Sequence, residues 1–132
     1  MANRANDWLR QAEEELLWAK DALVSGRWAL VCFTSQQVAE KSLKGMAIRR
    51  GAAQIKSHSV KDIAAALEID GELDEMGRVL DQYYITTRYP DAFYSGSPFE
   101  YFTKGQAAEA LRYAQAFLDR ARAEIRGPDA AT

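Results

Sequence analysis

Four residues able to do chemistry together, Gln37, Glu40, Lys41 and Lys44, lie in the run Gln36-Gln37-Val38-Ala39-Glu40-Lys41-Ser42-Leu43-Lys44. On a helix they stand at i, i+3, i+4 and i+7, a single narrow polar stripe. The stripe combines an amide, a carboxylate and two ammonium groups. That mix can hold a phosphate, a base edge or a partner subunit, and it is also the composition of a plain solvated face. The only histidine, His58, follows in Ser57-His58, and a second signature, Thr87-Arg88-Tyr89-Pro90-Asp91, comes later. Arg88 has a fork that can grip a phosphate bidentately or pair with Glu40 across two helices. Tyr83, Tyr84 and Tyr89 can stack a base or simply pack with a satisfied hydroxyl.

A metal-free ribonuclease needs a base for the 2′-hydroxyl proton and an acid for the leaving oxygen, and histidine titrates in the right range for both. His58 serves only if it meets a second group, such as Arg88 or the same residue of a second chain. Otherwise it is a helix N-terminal residue bonded to the polar stripe. The sequence has no glycine-rich phosphate loop, no zinc spacing and no Gly-Ser motif with paired aspartates. The chain is therefore not itself a nucleotidyltransferase, and no cofactor or metal is expected.

Helices must position these groups, because apolar residues recur at helical spacing and no strand-like alternation is present. Trp8, Ala12, Leu16, Ala19 and Leu23 form one stripe on a helix over residues 6–24, which Gly26 ends in the left-handed position. A second helix over 28–50 carries Trp28, Val31, Cys32, Val38, Ala39, Leu43 and Met46 on its apolar face and stops at Gly51. A short third helix starts near Ser59, whose hydroxyl suits the first-turn amides. A fourth spans residues 72–89 until Pro90 stops it. Thr103 and Gln106 form a capping box for the last helix, which reaches residue 125. The expected fold is all-α: an antiparallel up-and-down bundle of four long helices plus one short one, a single domain over residues 1–126 with a disordered tail at 127–132.

The loop between Pro90 and Phe102 is rich in Gly, Ser and Pro, yet holds Phe93, Tyr94, Phe99, Tyr101 and Phe102. Soluble monomers rarely leave such a patch bare. It should fold back over a core or an interface, and a homodimer using this loop or the second helix is expected.

The chain has 132 residues, enough to bury a core without disulfides, and its one cysteine, Cys32, excludes an intrachain disulfide. A net charge of −2 gives no global pull toward nucleic acid or anionic membrane. Locally, though, every charge from residue 41 to 61 is positive: Lys41, Lys44, Arg49, Arg50, Lys56 and Lys61. No apolar run approaches the about 18 residues of a membrane span, and the first residues lack an apolar signal region, so a cytoplasmic location is expected.

The opening Trp8-Leu9 helix, the Gln-Gln-x-Ala-Glu-Lys-x-Leu-Lys run, the lone Ser-His and Tyr-Tyr-x-x-x-Arg-Tyr-Pro resemble, in this order, the HEPN domain (higher eukaryotes and prokaryotes nucleotide-binding). The resemblance covers nearly the whole chain. It implies a helical bundle that commonly dimerises. It also implies work beside a minimal nucleotidyltransferase partner, often as a toxin–antitoxin pair. Some HEPN branches are metal-independent ribonucleases with an Arg, four to six intervening residues, then a His. Here seven residues intervene between Arg50 and His58, and Arg88 has no histidine after it. The reading is a module that binds a nucleotide or RNA phosphate through Gln37, Glu40, Lys41, Lys44, His58, Tyr84, Arg88 and Tyr89, with no catalytic residue assigned. The alternatives are an endoribonuclease toxin or a purely structural partner subunit.

Overall fold

Small residues on the first helix set how closely the bundle closes. In the structure, a computed structural model that describes residues 4–127, α1 is Ala5–Val24 and turns Ala5, Leu9, Ala12, Leu16, Ala19 and Ala22 inward. Most of the tail expected at 127–132 lies outside the described residues. Gly26 ends α1 at φ +76°, and the Arg27 N–H returns to the Ala22 carbonyl at 3.0 Å, the crossed pattern of a left-handed helix stop. That tight turn sends α2, Trp28–Arg49, back antiparallel along α1.

Helix α2 is the centre of the molecule. It packs against α1 on one side, against the last helix on another, and against the short helices on a third. Its buried set therefore goes beyond the expected apolar face and takes in Ser35, Gln36, Glu40, Ser42 and Lys44. Gly45 marks a close crossing with α1 and the last helix: a Cβ there would stand 3.1 Å from Ile125 Cδ1 and 3.2 Å from the Ala5 carbonyl oxygen.

The short helix α3 is Val60–Ala66, with Ser59 as its cap: the Asp62 N–H donates to the Ser59 hydroxyl at 3.1 Å. The helix expected over 72–89 is broken. It forms α4, Glu72–Asp81, and a single turn α5, Tyr83–Thr86, with the Gln82 N–H reaching the Val79 carbonyl in the tighter three-residue step. Together α4 and α5 are the fourth arm of the bundle and run antiparallel to α2. Helix α6, Lys104–Arg126, opens on the expected capping box: the Gln106 N–H donates to Thr103 Oγ1 at 3.1 Å and the Thr103 N–H to Gln106 Oε1 at 3.0 Å. Its Phe117 is wholly buried against α4, beside Gly77. Truncating such a side chain to alanine costs about 3–5 kcal/mol.

The fold is thus the all-α antiparallel bundle that the periodicity implies, with no strand among the described residues. No helix of the described residues is long and apolar enough to cross a membrane. Within the aromatic loop, Phe93 stacks on Tyr101 at 4.2 Å, and Phe102 meets both Phe93 and Tyr83 edge-on. Phe102 is buried in the core, whereas Tyr94 and Phe99 are exposed.

Candidate functional site

The polar stripe of α2 proves to be the meeting line of four elements. Lys41 reaches across to α1, where its Nζ lies 2.9 Å from the buried carboxylate of Glu15. It also donates to Gln37 Oε1 at 3.3 Å. The Gln37 amide donates to Gln36 Oε1 at 2.8 Å, and the Gln36 amide donates in turn to the His58 carbonyl at 3.0 Å and to Asp81 Oδ1 at 3.2 Å. Asp81 then holds the start of α3. Its carboxylate accepts from the Val60 N–H at 2.8 Å, the Lys61 N–H at 2.9 Å and the Ser59 hydroxyl at 3.1 Å. One continuous chain of hydrogen bonds therefore runs from α1 through α2 to α4 and α3. Burying a polar residue in a core is costly unless it is satisfied in this way.

A second set stands one turn further along α2. Glu40, only 3% exposed, shares its Oε2 between Lys44 Nζ at 2.8 Å and His58 Nδ1 at 3.2 Å. Lys44 is itself 5% exposed and sits over the Trp8 ring at 5.7 Å. Sequence spacing alone suggests an exposed i,i+4 pair, worth about 0.2–0.5 kcal/mol. Its burial makes it a different object, because removing either charge strands the other in low dielectric. Glu40 Oε1 has no hydrogen-bond partner among the described protein atoms.

His58 is the residue that links this interior to the surface. Its side chain is 59% exposed, and its ring stacks on Tyr84 at 5.4 Å and 15°. Its Nδ1 faces the Glu40 carboxylate, and Nε2 is the ring nitrogen without a protein partner among the described residues. Arg88 continues the platform rather than pairing with Glu40. Its Nε and Nη2 donate to the Tyr84 carbonyl at 2.8 and 2.6 Å, and its guanidinium lies 4.4 Å from the Phe33 ring, 4.7 Å from Tyr84 and 5.1 Å from Tyr89. Backbone carbonyl and ring faces fix the cation in place while it remains exposed.

Of the eight candidate residues, His58, Tyr84, Arg88 and Tyr89 form an accessible rim. Gln37 and Lys41 are half-buried beside it, and Glu40 and Lys44 lie beneath. The local basic run is largely neutralised: Lys41, Lys44, Arg50 and Lys61 each have a carboxylate partner. A cleft of about 840 Å³ along the outside of α1 includes only Lys41 of the eight and is lined by charges of both signs. Cys32 is wholly buried, and burial pushes its thiol up to about 12, so it is an inert core residue. Among the described residues no group of three or more His, Cys, Asp or Glu could hold a metal ion.

The fold agrees with that of known proteins. The family model described as HEPN domain matches residues 5–124. The chain belongs to the HEPN family. Among solved structures, TT1696 from Thermus thermophilus is 40% identical, with a TM-score of 0.88 over 93% of this chain and 99% of that one. ST0689, described as an archaeal HEPN homologue, is 34% identical, with a TM-score of 0.81 over 94% and 99%. No match was found among curated proteins. Within this HEPN bundle, Arg50, the arginine nearest before His58 in sequence, is engaged elsewhere. Its guanidinium bonds Glu124 at 2.7 and 2.9 Å and the Leu67 carbonyl at 2.7 Å. The cation that does reach the histidine platform is Arg88, through Tyr84.

Proposed function

We propose that this HEPN chain is a nucleotide- or RNA-phosphate-binding module. The observation that carries the reading is the rim. An exposed imidazole and a phenol ring are stacked, and a guanidinium is locked over the same ring, so a stacking surface lies beside a phosphate-binding fork. In this role Arg88 grips phosphate, and His58, Tyr84 and Tyr89 offer ring faces. Gln37 and Lys41 line the approach, and Glu40 with Lys44 fixes the imidazole from below.

Titration with ATP, GTP and short RNA at low salt tests it. Saturable binding that weakens about tenfold or more in Arg88→Ala is expected, since a charge-assisted hydrogen bond contributes about 1.5–3 kcal/mol. No saturable binding at millimolar ligand would sink the reading.

The same proposal includes a homodimer and a cytoplasmic pairing with a minimal nucleotidyltransferase, as in toxin–antitoxin systems. Family resemblance supports the nucleotidyltransferase. Exposed Tyr94 and Tyr101 on the aromatic loop support the dimer. Light scattering at micromolar concentration should give twice the chain mass, and a clean monomer would refute it.

The Glu40–His58 contact favours a second reading, a metal-independent endoribonuclease. A buried carboxylate on Nδ1 leaves Nε2 free to take a 2′-hydroxyl proton, while a second copy supplies the acid for the leaving oxygen. Cleavage of RNA that disappears in both His58→Ala and Arg88→Ala would establish it. Binding without cleavage would leave the first reading standing.

A further inference from the structure

A second concavity, of about 560 Å³, opens where the α1–α2 turn meets the end of α5. Its walls include Trp28, Leu30 and Phe33 from α2, and Phe99 from the aromatic loop. Leu30 and Phe99 are 48% and 73% exposed, so apolar surface is left facing the opening. The volume lies within the range of small-molecule sites, about 300–1,000 Å³.

Three donors at this concavity are left without an acceptor, while its Ser25 and Thr87 hydroxyls already donate to backbone carbonyls. Arg27 lines it and makes no ion pair or hydrogen bond through its side chain among the described residues. Arg88 also lines it and commits Nε and Nη2 to the Tyr84 carbonyl, which leaves Nη1 unused. The Trp28 indole N–H likewise has no acceptor among the described residues. No lining residue is a carboxylate. The wider cleft on α1 is the contrast: there Arg4, Arg10 and Lys41 are offset by Asp7, Glu13 and Glu14. Of the two, the smaller concavity has the cationic mouth on aromatic walls. Its complement is an anionic head on a flat apolar body.

We infer that this concavity is a binding site for a small organic anion: one planar ring system carrying a single carboxylate or phosphate. The ring packs among Trp28, Leu30, Phe33 and Phe99, and Arg27 with Arg88 Nη1 holds the anionic group. The site is distinct from the His58 rim, shares only Arg88 with it, and stands whether or not the rim binds a nucleotide.

The Trp28 indole N–H gives a local reporter in a proton–nitrogen NMR spectrum, assigned by the Trp28→Phe variant. Four probes are titrated into the full chain at low salt: AMP, benzoate, inorganic phosphate and adenosine. AMP, benzoate or both should shift the Trp28 signal saturably, with affinity about tenfold or more above that of phosphate and adenosine. Which of the two succeeds distinguishes a phosphate from a carboxylate ligand. Arg27→Ala, a change at an exposed residue, should weaken that binding about tenfold, and Phe99→Ala should also weaken it. His58→Ala should leave it unchanged, which separates this site from the rim. The inference is overturned if no probe moves the Trp28 signal at about 10 mM, or if phosphate alone does so as well as the ring-bearing anions. Binding indifferent to Arg27→Ala also overturns it.

Discussion

Replacing Lys44 by methionine keeps the side-chain stem that packs toward Trp8 and removes only the charge. In the native protein Glu40 and Lys44 are 5% and 7% exposed at their side chains, and Lys44 Nζ lies 2.8 Å from Glu40 Oε2. After the substitution the carboxylate retains His58 at 3.2 Å, on an oxygen it already shares, and Oε1 still has no protein partner. Stranding one charge of a buried pair costs about 3–5 kcal/mol. For a chain of this size that lowers Tm by about 10–20 °C. Urea unfolding followed by far-UV circular dichroism measures the loss as a lower midpoint at unchanged slope. The double variant Glu40→Leu/Lys44→Met removes both charges and should recover most of the stability, because an apolar pair of similar volume replaces a buried ion pair at little cost. A single-variant loss under about 1 kcal/mol would refute the reasoning, since that is what a hydrated surface pair gives.

Three further outcomes follow from other contacts. Asp81→Ala removes the acceptor of two backbone N–H groups and the Ser59 hydroxyl, so it should cost about 2–3 kcal/mol and broaden the His58 ring signals in NMR spectra. Burial pushes the Glu13 carboxyl up, but hydrogen bonds from Arg126 and Arg122 and their charges outweigh it and hold it below the ordinary 4.5. A carboxylate lowered in the folded state stabilises fully above its unfolded value and loses that contribution as pH falls through the folded one. The stability gap between wild type and Glu13→Gln, measured by urea midpoints, should therefore stay constant above about pH 5 and shrink below it. The Cys32 thiol should resist a thiol reagent at pH 8 in the native protein and react at once in denaturant; fast native labelling would contradict its burial.

Local stop and start signals were legible in the sequence because each is written in one or two residues. Gly26 and Gly51 take positive φ, Ser59 caps α3, and Thr103 with Gln106 opens α6. The spacing of Gln37, Glu40, Lys41 and Lys44 also held, since helical period fixes which side chains share a face. What the period does not encode is what covers that face. Helix α2 is enclosed by α1, α3, α4 and α6, so a stripe that reads equally as solvated became an internal network. Three members of that network escaped sequence reading: Gln36, Glu15 and Asp81. Gln36 did leave a signal. It follows Cys32 by four residues and precedes Ala39 by three and Leu43 by seven, a polar side chain in a core register that must be satisfied from elsewhere. Asp81 left none, because its partners are backbone amides of another helix. The break at Gln82 was hidden too: the apolar pattern runs through it, and only the backbone hydrogen bonds change step.

The network also explains why a lone histidine after a long loop is held still. Its carbonyl is gripped by Gln36 of α2, its Nδ1 by Glu40, and its ring face by Tyr84 of α5. The helix it precedes is pinned by Asp81 of α4. Stability alone does not require this. Lys44 already neutralises Glu40, and Ser59 with Asp81 already satisfies the first amides of α3 without the imidazole. Ordering an exposed imidazole costs side-chain entropy that no buried apolar contact of its own offsets. A side chain fixed from two helices yet left more than half open is the preorganisation a binding site needs, since a ligand then meets donors and ring faces that are already arranged.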